Sequence, residues 1–181
     1  MTEPQSYDVV LLAEQPLSAV DAAQVRGLHE DAPDPVRYHL LLPVEDAAAR
    51  VESAMGSLAS GDALVAGPMM LDQDDVEEIQ KELLDEARAD LAASLGALQQ
   101  SGATATGDLV TAEPIDALAA KVKEVGAAEV IVLTRPHVVA EFFHLDWTSR
   151  ARRKLGVPVL HLLEHENFDE QAGGPEGISG F

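Results

Sequence analysis

Five short apolar segments recur along this 181-residue chain, and segments of helical or loop-forming character separate them. Most of the five are rich in Val, Ile and Leu, as is typical of strands buried on both faces of a parallel sheet. The predicted strands span 7–14, 36–45, 104–113, 128–133 and 157–165. The alternation predicts an α/β protein, with one five-stranded parallel sheet covered by helices on both faces.

The segment 74–100 has the strongest helical pattern in the chain. Its apolar residues recur at intervals of three and four, which places them on one face of a helix. They are Val76, Ile79, Leu83, Ala87, Leu91, Leu95 and Leu98. We interpret the acidic residues of this segment as a solvated outer face. Shorter helices are predicted in four other places: after Ser18, over 47–59, from Pro114 to Gly126 and over 146–155.

Charge limits the classes of partner. The chain carries 32 acidic and 12 basic side chains, a formal net charge of −20. Such a surface repels nucleic acid and anionic lipid, so we expect neither as a partner. No apolar run approaches the roughly 20 residues that cross a bilayer, and no signal-peptide pattern is present. We expect a soluble, cytoplasmic protein with a single domain over 1–165 and a disordered, acidic, Gly-rich tail over 166–181.

The last third of the chain carries recognisable short sequence patterns at the boundaries of its predicted strands and helices. Ala112-Glu113-Pro114 stands at a strand-to-helix corner, KVKEVGAAEVIVLT follows, and Pro158-Val159-Leu160 opens the final strand. In this order and spacing the chain resembles the universal stress protein family over Tyr7 to His165, where the matching elements are Gly-Asp-Pro, Asp-Leu-Ile-Val-Met-Gly and Pro-Val-Leu. The resemblance implies the sheet order 3-2-1-4-5. It also implies a ligand cleft at the carboxyl ends of the strands, where the direction of winding reverses.

Nucleotide-binding members of the family have a loop with three spaced glycines and a final Ser or Thr. By this resemblance the glycine slots fall on Thr134, His137 and Trp147, and Thr148 follows them. Glycine adopts positive φ cheaply, whereas branched and bulky residues do not. A Trp ring also occupies roughly 200 Å² of contact surface, where a phosphate needs open backbone amides. We therefore expect that ATP is not held in the family's usual way.

The other candidate ligand-binding residues are Glu14, Val44 and Arg135. Glu14 stands where the nucleotide binders have an Asp at the end of their first strand, and the Arg guanidinium matches carboxylate or phosphate geometry. We expect no cofactor; the alternative is ATP or another adenine nucleotide held weakly.

No set of residues indicates catalysis. The chain has no cysteine and no Gly-x-Ser-x-Gly elbow, and no pair of carboxylates stands out as an acid/base dyad. We interpret four His residues near the end of the chain (137, 144, 161 and 165) as incidental rather than as a metal site. The basic residues of 150–154 are more simply explained as surface ion pairs than as an anion pocket.

We therefore predict a non-enzymatic regulatory or structural protein that acts through self-association or an unidentified protein partner. The resemblance implies a homodimer through the fifth strand, because an apolar edge left bare would be an aggregation hazard. The predicted dimer-edge residues are Val157, Val159, Leu160 and Leu162. Two alternatives remain. One is a small-molecule or adenine-nucleotide sensor whose altered cleft uses Arg135, His137 and Thr148; the other is a hydrolase or transferase related by fold alone.

Overall fold

A five-stranded parallel sheet forms the centre of the structure, a computed structural model that describes residues 6–44, 73–111, 113–134 and 153–163. Its strands are β1 (Tyr7–Ala13), β2 (Val36–Pro43), β3 (Thr104–Val110), β4 (Glu129–Thr134) and β5 (Val159–Leu163). Every neighbouring pair is parallel, and the order is β3-β2-β1-β4-β5. The described helices are α1 (Ala19–Gly27), α2 (Gln73–Gln100) and α3 (Pro114–Val125). The predicted fold class and strand order are confirmed.

The central strand β1 is buried on both faces. Val9 and Leu11 pack with residues of α1 and α2 on one face, whereas Val10 and Leu12 pack with residues of α3 on the other. Successive side chains of a strand point to opposite faces, so a nearly continuous apolar run supplies both cores.

Helix α2 packs on the sheet through the predicted apolar stripe. Leu83, Ala87 and Leu98 are buried, and Leu91 and Leu95 are partly buried against the same core. One buried member of the helix, Ser94, was not predicted. Its hydroxyl donates to the carbonyl oxygen of Asp90 at 2.7 Å and accepts from the backbone N–H of Leu17 at 2.9 Å. These two hydrogen bonds connect α2 to the residues that lead into α1.

The helix ends follow the predicted signals. Ser18 caps α1 by accepting from the backbone N–H of Asp21, whose carboxylate in turn accepts from the Ser18 backbone N–H. This reciprocal pair satisfies two amides that the helix leaves free. Pro114 begins α3 and Gly126 ends it with a φ of 63°, in the left-handed region that glycine adopts at low cost.

Some predicted bounds differ from those in the structure. The third strand ends at Val110 rather than at residue 113, because Glu113 caps α3 by accepting from the backbone N–H of Asp116. The fifth strand covers Val159–Leu163 within the predicted 157–165. The predicted helix 47–59 and the tail 166–181 lie outside the described residues, and of the helix 146–155 only the turn at 153–155 is described. None of the helices in the described ranges could span a bilayer.

Candidate functional site

A cavity of about 470 Å³ opens where β1 and β2 end and α2 crosses above them. Glu14 follows β1 directly and Val44 follows β2 directly, so parallel strands deliver both residues to the same edge of the sheet. Two backbone hydrogen bonds fix these positions: Glu14 N–H donates to Leu133 O at 3.1 Å, and Val44 N–H donates to Val110 O at 2.8 Å. The structure thus brings two predicted site residues together at one cavity.

The cavity wall combines carboxylates with an apolar floor. Its acidic members are Glu14, Glu86 and Asp90, and its apolar members include Leu42, Leu83 and Ala87. None of the lining residues in the described ranges is Lys or Arg. Like charges a few ångströms apart repel, so this part of the wall suits hydroxyl groups or a cation better than a phosphate.

The contribution of α2 to this cavity was missed from the sequence. The acidic residues of the segment were interpreted as a solvated outer face. Glu86 is exposed, as that interpretation expects, but it and the partly buried Asp90 also line the cavity. They are four apart, hence neighbours on one helix face, and they flank the buried Ala87. The signal in the sequence was that both residues stand next to the apolar stripe. A residue beside the buried face of a helix lies close to any cavity that the helix covers.

Thr134 ends β4 and is buried. Its hydroxyl oxygen lies 2.7 Å from Nε2 of His161 on β5, the strand paired with β4. Burial lowers the pKa of His161, because the charged imidazolium loses solvation in the interior. The Thr134 hydroxyl is thus engaged within the protein and joins two strand ends. The other predicted loop residues, Arg135, His137, Trp147 and Thr148, lie outside the described residues.

The residues of the predicted dimer edge differ in burial, and three levels of exposure occur among them. Leu160 is 39% exposed, whereas Val157 and Val159 are half-buried against the core beneath α3. Leu162 is only 1% exposed and belongs to the core beneath α1 and α2. Leu160 and Leu162 lie on the same face of β5, but the core covers Leu162, so its side chain is not part of an exposed contact surface.

The basic cluster is seen in part. Lys154 pairs with Asp116 of α3, as the surface ion-pair interpretation predicted for this residue. Among the residues that the structure describes, no group of three or more His, Asp or Glu is placed to hold a metal ion.

Neither a protein-family profile nor a curated protein matches the chain. Three solved structures are similar. The hypothetical protein MJ0577, whose biochemical function was assigned from its structure, is 14% identical over 89% of this chain and 99% of its own, with a TM-score of 0.57. The universal stress protein UspA from Lactobacillus plantarum is 13% identical over 87% and 99%, with a TM-score of 0.53. A universal stress protein family protein from Arabidopsis thaliana, solved with AMP bound, is 14% identical over 93% and 97%, with a TM-score of 0.49.

At these identities the likeness concerns the fold. The TM-scores of 0.57 and 0.53, together with the strand order, confirm that the chain has a universal stress protein-like α/β fold.

Proposed function

We propose that this protein is a non-enzymatic regulatory or structural protein of universal stress type, which acts by self-association or by binding a protein partner. In this proposal it does not hold ATP in the family's usual way. The supporting observation is the wall of the cavity, where Glu14, Glu86 and Asp90 bring three carboxylates to the carboxyl ends of the strands.

The argument against ATP is electrostatic as well as steric. Two like unit charges 4 Å apart repel by about 1 kcal/mol in water and about 4 kcal/mol near a protein surface. A triphosphate carries several negative charges, so each carboxylate that it approaches adds a penalty of this order. The loss of all three loop glycines removes the backbone approach that would compensate for it.

Mg-ATP titration tests this part of the proposal. A ligand that binds only the folded state raises the free energy of unfolding by about 2.7 kcal/mol when present at a hundred times its dissociation constant. We expect no shift of the thermal midpoint with micromolar Mg-ATP. A saturable shift that disappears in Arg135→Ala would contradict the proposal and would favour the nucleotide-sensor alternative.

Self-association is proposed through β5, which lies at one end of the five-stranded sheet. An end strand presents unpaired backbone groups, and proteins commonly cover such an edge. Leu160 is exposed on this strand, and within the described ranges Val20 on α1 is the other exposed large hydrophobic residue. The pair provides a test residue and a matched control.

The experiment measures molecular mass in solution by light scattering for three proteins. We expect the wild type to have twice the 19.2 kDa mass of one chain. Leu160→Lys places a charge at the proposed contact and should give the mass of one chain. Val20→Lys makes the same change at a residue that is 45% exposed but distant from β5 in sequence, and it should leave the dimer intact. A monomeric wild type, or equal dissociation in both variants, would overturn the β5 dimer.

A second candidate function is a small-molecule sensor, and the cavity itself favours it. About 470 Å³ of space with an apolar floor and three carboxylates could hold a hydroxyl-rich or cationic molecule rather than a polyphosphate. Comparing adenosine with ATP tests the idea, because the two share a base and ribose and differ in charge. Stabilisation by adenosine that Glu14→Gln abolishes would support a sensor, and no response to adenosine would count against it.

A further inference from the structure

A second cavity, of about 550 Å³, lies at the opposite end of the sheet from the cleft. Tyr7 begins β1 and Glu129 begins β4, so both stand at the amino ends of adjacent parallel strands. The connection between α1 and β2 contributes His29, Asp31 and Asp34, and Leu160 contributes from β5. Apart from Leu160, which belongs to the predicted dimer edge, none of these residues has a part in the predicted function.

Glu129 is held in place by two donors. Nε2 of His29 lies 2.7 Å from one carboxylate oxygen, and the Tyr7 hydroxyl donates to the other at 3.2 Å. The contact with His29 joins residues 100 positions apart in the chain. Each carboxylate oxygen has two lone pairs, so both oxygens retain acceptor capacity after these bonds. The carboxylate is therefore oriented but not saturated.

Three rings stabilise this arrangement. The ring of His29 lies between Tyr7 and Tyr38, with centroid distances of 5.7 Å and 5.6 Å. Nδ1 of His29 lies 2.9 Å from the hydroxyl of Tyr38, which is buried. Burial, with a smaller contribution from Glu129, raises the pKa of Tyr38 to about 12, although Arg26 acts in the other direction. Tyr38 thus remains a neutral partner, and the cavity wall is organised before any ligand arrives.

The wall selects a class of ligand. Its charged members in the described ranges are the carboxylates Glu129, Asp31 and Asp34, together with His29 when protonated, and no lining Lys or Arg is present among them. Tyr7 offers a ring face, and Leu160 and Pro33 offer apolar surface. A compact cation gains from the carboxylates and the rings, and an attached alkyl chain gains from the apolar wall.

We infer that this cavity binds a small organic cation that carries a primary ammonium or guanidinium group on a short alkyl body. The N–H donors of the cation bond to Glu129, and its positive charge lies near the Tyr7 ring. The inference does not depend on the cleft at the carboxyl ends, because the two cavities share no lining residue. It shares one residue, Leu160, with the proposed β5 contact.

Isomeric cations separate specific binding from general attraction to an acidic protein. n-Butylammonium and tetramethylammonium have the same composition and charge, but only the first has N–H donors. Each is titrated into the isotopically labelled full chain, and NMR shifts of the Tyr7 and His29 rings are followed. We expect saturable shifts at both rings with n-butylammonium and at least about tenfold weaker binding of tetramethylammonium. Equal responses, or no saturation with n-butylammonium, would overturn the inference.

Two charge-matched variants locate the site. Glu129→Gln keeps the shape and the acceptor oxygen but removes the charge, and it should weaken n-butylammonium binding at least about tenfold. Glu78→Gln makes the same charge change at an exposed position on α2 and should leave the affinity within about twofold. The backbone NMR spectrum of each variant reports whether its fold is retained. Equal weakening in the two variants would show that only net charge matters, which would refute the site.

A third variant keeps the inference testable if Glu129→Gln fails to fold. Tyr7→Phe retains the ring and removes the hydroxyl that orients Glu129. We expect binding weakened by a few fold, since the cation–ring contact survives while the carboxylate is less well oriented. Unchanged affinity in Tyr7→Phe, measured through the His29 ring, would contradict the geometry proposed here.

Discussion

Asp8 on β1 and His39 on β2 are joined by a hydrogen bond of 2.8 Å from Nε2 of the imidazole to a carboxylate oxygen. Arg37 and Ser6 also donate to the same carboxylate, and Nδ1 of His39 lies 3.1 Å from the Thr106 hydroxyl on β3. This cluster links the amino ends of three neighbouring strands. Burial acts to raise the pKa of Asp8, but the bonds from His39, Ser6 and Arg37 outweigh it, so the pKa is lowered.

The first prediction concerns acid stability. Because the pKa of Asp8 is lower in the folded than in the unfolded state, its stabilising contribution is complete above the usual Asp pKa of about 3.9. This contribution is lost as the pH falls from the usual Asp pKa through the lowered pKa of the folded state, at which Asp8 is protonated in the folded protein as well. Asp8→Asn should reduce the free energy of unfolding by about 1–3 kcal/mol at pH 7 and by less at pH 3. Urea unfolding at the two pH values measures the difference.

Asp85→Asn is the control for this prediction. Asp85 pairs with Arg88 at 2.7 Å, but both side chains are more than half exposed. Exposed pairs of this kind contribute about 0–1 kcal/mol, so the variant should be nearly as stable as the wild type. An equal loss in both variants would show that the cluster around Asp8 has no special role.

The second prediction concerns Gln24, which is 8% exposed on α1. Neither its side-chain nitrogen nor its side-chain oxygen has a hydrogen-bond partner among the described residues. A buried polar group without a partner costs about 1–3 kcal/mol, and Leu has nearly the same size. Gln24→Leu should therefore raise the free energy of unfolding by about 1–2 kcal/mol. Gln100→Leu, on the exposed end of α2, should change it little, and a destabilised Gln24→Leu would imply that the amide is satisfied by water.

The third prediction compares two glycines. A Cβ at Gly107 on β3 would lie 2.8 Å from a methyl group of Leu91 and 3.2 Å from the backbone oxygen of Leu40. Gly107→Ala should thus cost about 1 kcal/mol, because the Leu91 methyl must move and the backbone oxygen cannot be relieved by rotation of a side chain. Gly96 lies inside α2, and apart from its chain neighbours and the nearby backbone of the helix no described heavy atom comes within 4 Å of an added Cβ. Gly96→Ala should stabilise by about 0.5–1 kcal/mol, and thermal unfolding that gave both changes the same sign would contradict the packing.

The fourth prediction concerns His161. Burial lowers its pKa, so between the usual His pKa of about 6.5 and the lowered folded value the unfolded chain binds more protons. The free energy of unfolding therefore falls as the pH decreases through this window. His161→Asn removes this titration and should make the stability less dependent on pH between about 7.5 and 5.5. The difference between wild type and variant isolates His161 from the other histidines; identical pH profiles would refute the effect of burial.

The fold was predictable because its signals are local and repeated. The stripe of Leu83, Ala87 and Leu98 specifies one helix face, and the apolar runs specify strands whatever their neighbours are. Capping by Ser18 and termination at Gly126 follow from backbone requirements that a few residue types satisfy. The strand order came from the resemblance to a known family rather than from the periodicity.

The cavities were predictable only in part. Glu14 and Val44 could be placed because the ends of parallel strands meet at one edge. The cluster of Tyr7, His29 and Glu129 could not, since its members lie at three separate points in the chain and form no motif. Leu162 was misassigned because Leu160 and Leu162 share one face of β5, and the sequence does not show that the core covers Leu162 and leaves Leu160 exposed.

Leu160 is both the exposed side chain of the end strand and part of the wall around Glu129. A cation bound in this cavity and a second chain paired with β5 would therefore both contact Leu160, so their binding free energies are linked. If cation binding changes the affinity between the chains by some factor, thermodynamic linkage requires that chain pairing changes the affinity for the cation by the same factor. A dilution series with and without n-butylammonium would measure that coupling as a change in the concentration at which the chains separate.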